Sequence, residues 1–220
     1  MKKTTEAYLV ELLDRYPALK SAESEIYGAA LSLIHLYQHK GKLLVCGNGG
    51  SAADSLHIVG ELMKSFQQCR PIPLALRNKL EKYEDGDDLG SHLQMPLRAI
   101  ALVCESGLNT AFANDVNPEY IFAQQVLGYG DKGDILMAIS TSGNSRNVVY
   151  AAEIAKALGL TVIALTGQDG GKLKKLADIC ITVPEAETFK VQELHLPVYH
   201  ALCLAVENEM FKVGDTLWKR

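Results

Sequence analysis

The chain has 220 residues, with 22 Lys and Arg against 26 Asp and Glu and a formal net charge of −4. This length can bury a sizeable core as one domain. The balance is mildly acidic, and no block of like charges gives the electrostatic footprint of a nucleic-acid-binding or membrane-surface protein. We therefore expect no nucleic-acid partner. We also expect no membrane partner, because no apolar run approaches the ~20 residues of a membrane-spanning helix.

The N-terminus and the cysteines indicate the compartment. The chain begins Met-Lys-Lys, but charged residues interrupt any apolar signal region that would follow: Glu6, Glu11, Asp14 and Arg15. The five cysteines are widely spaced, odd in number and mostly set in apolar runs, which favours reduced thiols over a disulfide framework. We therefore expect a cytoplasmic protein.

The predicted elements begin with two helices, over 5–16 and 21–39, separated at Pro17. Five apolar runs then predict strands over 42–46, 99–104, 134–139, 161–165 and 178–183. Helices are predicted over 51–66, 107–128, 145–158, 171–177 and 188–212. Near-continuous apolar strands alternating with helices are typical of a parallel sheet that is covered on both faces.

The predicted fold class is therefore α/β, a doubly wound five-stranded parallel sheet flanked by helices and preceded by N-terminal helices. We expect a single structural domain overall, in which residues 1–40 supply the N-terminal helices and residues 41–220 the sheet and its flanking helices.

The segment 71–96 is irregular and lies between the first two strands. It holds three prolines and an acidic run formed by Glu81, Glu84, Asp85, Asp87 and Asp88. Its polarity predicts a solvated loop with a short helix. The functional alternative is a lid or a subunit contact.

Two turns rich in Gly and Ser each follow a strand and lead into a helix: Cys46-Gly-Asn-Gly-Gly-Ser51 and Ile139-Ser-Thr-Ser-Gly-Asn-Ser145. Such turns offer backbone N–H groups, short hydroxyls and the positive end of a helix dipole to an anion such as a sugar phosphate. The first turn alone also fits an ordinary turn capped by Ser51. The second carries five hydroxyl or amide side chains in six residues, which exceeds the need of a cap.

The two turns therefore predict a phosphate site. Its candidate residues are Asn48, Gly49, Gly50, Ser51, Ser140, Thr141, Ser142 and Ser145. Neither turn fits G-x-G-x-x-G or G-x-x-x-x-G-K-[ST], which disfavours a dinucleotide or a nucleoside triphosphate. A third turn, Thr166-Gly-Gln-Asp-Gly-Gly171, is interpreted as a loop and helix start.

Acid/base candidates lie on two helices. His57 and Glu61 are four residues apart and share one face, although such a pair is also common on helix surfaces. On the last helix Gln192 and His200 face the same way, provided that Pro197 does not break it. His195 points elsewhere and is interpreted as a satisfied structural histidine.

The four residues on the shared faces allow two chemistries. His57, Glu61, Gln192 and His200 could serve as acid/base groups without a metal, or could coordinate a divalent ion such as zinc. Gln is an uncommon zinc ligand, and spacing does not choose between the two.

With these motifs placed, residues 20–212 resemble the sugar isomerase (SIS) domain family, and within it the phosphoheptose isomerases. The segments that carry the resemblance are Cys46-Gly-Asn-Gly-Gly-Ser-Ala52, Leu56-His-Ile-Val-Gly-Glu61, Phe112-Ala-Asn-Asp115, Ser140-Thr-Ser-Gly-Asn-Ser145, Leu165-Thr-Gly-Gln-Asp-Gly-Gly171 and Val191-Gln-Glu-Leu-His195 with His200.

The resemblance implies a homotetramer with active sites at subunit interfaces. It implies isomerisation of sedoheptulose 7-phosphate to a glycero-manno-heptose 7-phosphate through an enediol. Glu61 and His200 match the acid/base pair, and we expect Glu61 to be the carbon base. The residues implied to bind substrate are Asn48, Gly49, Gly50, Ser51, Asn114, Asp115, Ser140, Thr141, Ser142, Ser145 and Gln192. Some members hold zinc, one ion per subunit, through residues that match His57, Glu61, Gln192 and His200.

Two departures bear on the sugar. The segment 71–96 looks longer than in typical phosphoheptose isomerases and is expected to reach the mouth of the second strand. Phe189 stands where those isomerases tend to carry a polar residue. The alternatives are an isomerase of another phosphosugar, or a non-catalytic SIS regulator of the replication-initiation type, which lacks the acid/base pair. Glu61 and His200 favour the enzyme.

Overall fold

The computed structural model describes residues 1–211. Its helices are α1 (Lys3–Arg15), α2 (Glu23–Gln38), α3 (Gly50–Met63), α4 (Leu74–Leu80), α5 (Gly86–His92), α6 (Ser106–Asp115), α7 (Ile121–Tyr129), α8 (Arg146–Leu158), α9 (Leu173–Leu176) and α10 (Thr188–Met210). Its strands are β1 (Leu43–Cys46), β2 (Ala99–Ala101), β3 (Ile135–Ile139), β4 (Thr161–Thr166) and β5 (Ile179–Thr182). Short 3₁₀ helices span Pro17–Ala22 and Pro118–Tyr120. Residue 212, where the last helix was predicted to end, lies outside the described residues, as does the rest of the predicted domain to 220.

The five strands form one parallel sheet in the order β2-β1-β3-β4-β5. Successive side chains of a strand point to opposite faces, so Leu43 and Val45 enter one core while Leu44 and Cys46 enter the other. The first core is completed mainly by α1, α2, α3 and α10, and the second by α7 and α8. The predicted doubly wound α/β fold is confirmed.

The N-terminal helices pack on the last helix. Leu9 and Leu12 of α1 are buried in the same core as Val198 and Leu202 of α10. At the outer end of this contact the Thr5 hydroxyl donates to the Glu209 carboxylate at 2.7 Å. The division into residues 1–40 and 41–220 stays a prediction.

The prediction of a single helix over 107–128 is wrong. α6 ends at Asp115, and a short 3₁₀ helix begins at Pro118 before α7. The Asn117 side chain accepts the backbone N–H of Glu119 at 2.8 Å, which caps the new start. Proline favours an extended residue before it and fits a first helical position, so Asn117-Pro118 is the physical reason for the break.

The segment 71–96 forms two short packed helices, α4 and α5, where one was expected. Its ends meet in an antiparallel bridge between Pro71 and Gln94. It follows the C-terminus of α3 and enters β2 at that strand's amino end. Within one chain it therefore lies at the opposite edge of the sheet from the two Gly/Ser turns, which corrects the expectation that it reaches the mouth of β2.

α10 runs unbroken through Pro197. A proline inside a helix removes one N–H, but here the helix continues for thirteen further residues to Met210. Gln192 and His200 therefore stand on one continuous helix. Among residues 1–211, no helix has the length and apolarity to cross a membrane.

Candidate active site

The two Gly/Ser turns lie side by side. β1 pairs directly with β3, with Cys46 opposite Ala138, so residues 47–51 and 140–145 leave adjacent strands at the same edge. The chain passes from β1 to β2 on one side and then to β3 on the other, which makes this the point where the strand order reverses. Ligands of open parallel sheets bind at such points.

A pair of side chains links the first turn to the start of α8, directly after the second turn. The amides of Asn48 and Asn147 donate to each other's carbonyl oxygens, both at 2.9 Å. Within the second turn the Ser140 hydroxyl donates to Ser145 at 3.1 Å. Gly49 has φ of 55°, a left-handed conformation that favours glycine, and it directly precedes the first residue of α3. The arrangement sets the N-termini of α3 and α8 around a common space.

The third turn supports the second. Gly143 has φ of 63°, and a Cβ there would lie 2.1 Å from the carbonyl oxygen of Gly170. The backbone N–H of Gly167 donates to Thr141 at 2.9 Å, and that of Lys172 to the Asn144 side chain at 3.1 Å. The turn of residues 166–171 therefore has a structural role, which holds the backbone of the second turn in place.

A surface cleft opens between the two turns, lined by Asn48, Ser145, Arg146 and Asn147. Arg146 forms an ion pair with Glu119 at 2.9 Å on its rim. Sequence reasoning missed Arg146 and Asn147, although both directly follow Ser145 at the start of α8. Arg146 places a cation beside the predicted anion site.

α3 and α10 pack against each other and run in the same direction. At one level the Gln192 side chain covers Gly50, where a Cβ would lie 2.4 Å from its Nε2. Two turns further on, His57 meets His200 with 3.4 Å between the two Nε2 atoms. The shared faces inferred from residue spacing thus meet across the helix pair, at two separate levels.

His57, Glu61 and His200 form one cluster, which we call the acid/base cluster. His57 Nε2 lies 3.3 Å from Glu61 Oε1, and the second carboxylate oxygen of Glu61 accepts from Lys64 Nζ at 2.8 Å. Burial lowers the pKa of His200, as does the nearby His57, and Glu61 opposes both effects. His200 is thereby favoured in its neutral form, which can give or take a proton.

Behind the acid/base cluster, Tyr199 lies between two polar groups. Its hydroxyl is 3.0 Å from His57 Nδ1 and donates to Asp54 Oδ1 at 3.3 Å. Burial raises the pKa of the Asp54 carboxyl, against the lowering effects of Tyr199 and His57. Sequence reasoning missed Tyr199, because a buried tyrosine in an apolar helix gives no local signal of what its hydroxyl contacts.

The imidazole nitrogens and the carboxylate of the acid/base cluster are donor types that zinc prefers. Zinc at about 2.0–2.1 Å from each ligand holds tetrahedral ligands about 3.3–3.4 Å apart, which matches the two contacts of His57 Nε2. Glu61 and His200 make no ion pair with each other in the described residues. Residues 1–211 contain no group of three or more His, Cys, Asp or Glu placed so that it could hold a metal ion. Gln192 of the same chain lies at the other level, beside Gly50.

The distance between the turns and the acid/base cluster suits a sugar phosphate. From Ser51 to His57 the helix rises about 9 Å. Helical side chains lean toward the N-terminus, which brings the Glu61 carboxylate back to the level of His57. An extended seven-carbon chain with a terminal phosphate spans roughly 10 Å, at about 1.2 Å per bond.

Two predicted substrate residues lie apart from this set. Asn114 and Asp115 end α6, where the Asn114 amide donates to the Asp115 carboxylate at 2.9 Å. Both are exposed, and within residues 1–211 neither makes a hydrogen bond to the turns or to the acid/base cluster.

His195 is fully buried on the side of α10 away from the acid/base cluster. Neither ring nitrogen meets the geometry of a hydrogen bond in the described residues, although the Thr166 backbone lies near enough to act on the ring. Burial lowers its pKa to about 4, with the Thr166 backbone partly opposing. The ring is therefore neutral near pH 7.

Comparison with known proteins agrees with the site. Residues 108–205 match the SIS domain family. The chain is 36% identical to the phosphoheptose isomerase of Akkermansia muciniphila, over 92% of this chain and 95% of that one. The phosphoheptose isomerase structure from Neisseria gonorrhoeae superposes with a TM-score of 0.70 at 32% identity, covering 93% of this chain and 99% of that one. That from Francisella tularensis gives a TM-score of 0.72 at 30% identity, covering 94% and 98%. The chain belongs to the phosphoheptose isomerase family.

Proposed function

We propose that this chain is an aldose–ketose isomerase that interconverts sedoheptulose 7-phosphate and a glycero-manno-heptose 7-phosphate. The observation that carries the proposal is the meeting of His57, Glu61 and His200 about 9 Å along α3 from two Gly/Ser turns. The turns hold the phosphate, and the acid/base cluster acts at the other end of the sugar.

The reaction moves a proton between adjacent carbons and another between the two oxygens. Glu61 is the carbon base, because an ionised carboxylate at the level of His57 can accept a proton from the substrate and return it to the neighbouring carbon. His200 serves the oxygens, where its neutral ring can donate on one nitrogen and accept on the other. Lys64 holds the far carboxylate oxygen of Glu61 at 2.8 Å, which fixes the orientation of the carboxylate.

The proposal includes zinc as a resident ion, one per subunit. His57, Glu61 and His200 would hold it. Gln192 lies beside Gly50, and it would complete the predicted set only from a different position. When bound, zinc supplies a Lewis acid that polarises the sugar carbonyl. Metal analysis of protein purified without chelator tests this, since a resident ion requires about one zinc per chain.

We also propose a homotetramer with sites at subunit interfaces, acting in the cytoplasm. The half-exposed ring of His57 and the exposed Asn114 and Asp115 support a site that a second chain completes. The five cysteines, all in the part of the chain that the structure describes, are unpaired, in keeping with a reducing compartment.

The test is incubation of the purified protein with sedoheptulose 7-phosphate, with and without zinc. Glu61→Gln should lower kcat about 10²–10⁴-fold and leave phosphosugar binding intact, because only the proton acceptor is lost. Glu153→Gln, at an exposed glutamate on α8, is the matched control and should retain full activity.

Absence of aldose product in both conditions, with phosphosugar still bound, would replace the enzyme with a non-catalytic phosphosugar-binding protein. Unchanged turnover in Glu61→Gln would remove Glu61 from the mechanism.

A further inference from the structure

The Tyr199 hydroxyl bridges a carboxylate and an imidazole at the junction of α3 and α10. It lies 3.3 Å from Asp54 Oδ1 and 3.0 Å from His57 Nδ1. The Tyr199 side chain is 1% exposed, and its ring meets the His57 and His200 rings edge-on at 5.6 and 5.0 Å between centroids. The hydroxyl therefore has a fixed place between two partners.

Counting protons gives the direction of both hydrogen bonds. When Asp54 is ionised, its carboxylate can only accept, so the single O–H of Tyr199 points to Asp54. The tyrosine oxygen then has only lone pairs left for His57, and His57 Nδ1 must carry the proton that joins them. In a neutral imidazole this leaves Nε2 without a proton.

The unprotonated Nε2 faces the acid/base cluster. It lies 3.3 Å from Glu61 Oε1, which is also an acceptor when ionised, and 3.4 Å from His200 Nε2. Two acceptors at this distance repel each other unless a cation or a proton lies between them. The lone pair of His57 is thus aimed at the position where a zinc ion or a transferred proton would sit.

We propose that Tyr199, anchored by Asp54, is a positioning residue that holds His57 in the Nδ1–H tautomer and presents its Nε2 lone pair to the acid/base cluster. The consequence for zinc or proton transfer rests on the proposed function, whereas the tautomer itself does not. Such partners of a ligating histidine set ring orientation and metal affinity.

The direct measurement is the ¹⁵N NMR spectrum of the histidine rings in protein labelled at histidine, at mildly alkaline pH and without metal. The His57 signals are assigned by their loss in His57→Gln. We expect Nδ1 protonated and Nε2 unprotonated in the wild type. In Tyr199→Phe the constraint is gone, and the signals should shift toward the Nε2–H tautomer.

Asp54→Asn gives a second test that keeps the tyrosine. The new amide can donate to the tyrosine oxygen, which frees the Tyr199 O–H to donate to His57 Nδ1 and reverses both hydrogen bonds. This variant should also shift His57 toward Nε2–H. Tyr37→Phe is the matched control: its buried hydroxyl donates to the Arg98 carbonyl and makes no hydrogen bond to His57 in the described residues, so its loss should leave the His57 signals unchanged.

Zinc affinity of the metal-free protein is the second readout, measured by competition with a chromophoric chelator. Tyr199→Phe should weaken it about 10–100-fold, and Tyr37→Phe should not. If the wild-type protein binds no zinc, the metal is removed from the proposed function. The NMR result alone then decides whether Tyr199 sets the His57 tautomer.

A wild-type His57 protonated at Nε2, or at both nitrogens, would overturn the inference. So would an unchanged tautomer in both Tyr199→Phe and Asp54→Asn. The expected tautomer in a protein without isomerase activity would sustain this inference and remove the proposed function instead.

Discussion

Two polar networks join α3 to α10, and they differ in how completely their groups are paired. In the first, the Glu207 carboxylate accepts from Arg70 and from the backbone N–H groups of residues 66–68, at 2.6–3.1 Å. Arg70 in turn donates to the carbonyls of Leu62 and Glu61. Both side chains are 0–1% exposed.

The second network, Asp54–Tyr199–His57, leaves groups open. Asp54 Oδ2 is buried with no hydrogen-bond partner in the described residues, and His57 faces solvent with 43% of its side chain exposed. A buried network whose groups are all hydrogen-bonded stabilises one structure, whereas a network with unpartnered polar groups can bind a ligand. The comparison suggests that the Arg70 network maintains the fold and that the Tyr199 network serves the reaction.

The largest effect on stability is expected from Glu207→Gln. Loss of the charge leaves the guanidinium of Arg70 buried without its partner, which should lower the free energy of unfolding by about 3–5 kcal/mol. Urea denaturation measures it. Adding Arg70→Met should recover part of the loss, and a single variant as stable as the wild type would contradict the structural role of this network.

His195 gives an intermediate effect that depends on pH. It is a third buried polar group on α10, and its pKa of about 4 lies below the ordinary 6.5. The folded state therefore binds fewer protons than the unfolded state between these values. The contribution of neutral His195 to the free energy of unfolding is complete above pH 6.5. It falls by about 3 kcal/mol as the pH drops toward 4.

His195→Leu removes that titration. Its stability relative to the wild type should rise as pH falls from 7 to 4, measured by urea denaturation across this range. Parallel curves for the two proteins would mean that the histidine is not kept neutral by the fold.

Tyr199→Phe should have a smaller effect on stability, about 1 kcal/mol, because it removes one neutral hydrogen-bond donor from a carboxylate that is only partly buried. Thermal unfolding followed by circular dichroism measures it. A loss as large as that of Glu207→Gln would erase the distinction between the two networks.

The smallest effect is expected at the surface of α1. Arg15 and Glu11 form an exposed pair at 3.5 Å, with 64% and 62% of their side chains accessible. Glu11→Gln should change the free energy of unfolding by less than about 0.5 kcal/mol. This variant gives the baseline for the stability changes in both networks. A loss of stability above about 1 kcal/mol would show that burial does not determine the order of the effects.

The parts of the molecule that sequence predicted well are local. All five strands were expected near their observed places, since short apolar runs are a local signal. Both Gly/Ser turns were also visible, because Gly49 and Gly143 occupy conformations that their own sequence encodes. Their adjacency depends on strand order, which only the assembled sheet gives.

The parts that sequence did not reach depend on contacts between distant residues. Residue spacing placed His57 and His200 on suitable faces, but only packing shows that they meet and that Gln192 lies two turns away beside Gly50. The side-chain partners of Tyr199 and Arg70 are 137 to 145 residues away along the chain. No local pattern reports such pairs.

The reciprocal amides of Asn48 and Asn147 have a consequence for local unfolding. They join chain segments 99 residues apart through two hydrogen bonds, with each side chain both donating and accepting. Opening of the first turn would break both hydrogen bonds to the start of α8 at once, so the two turns should open and close as one cooperative unit. An anion bound at either turn would then protect the backbone amides of both from hydrogen exchange.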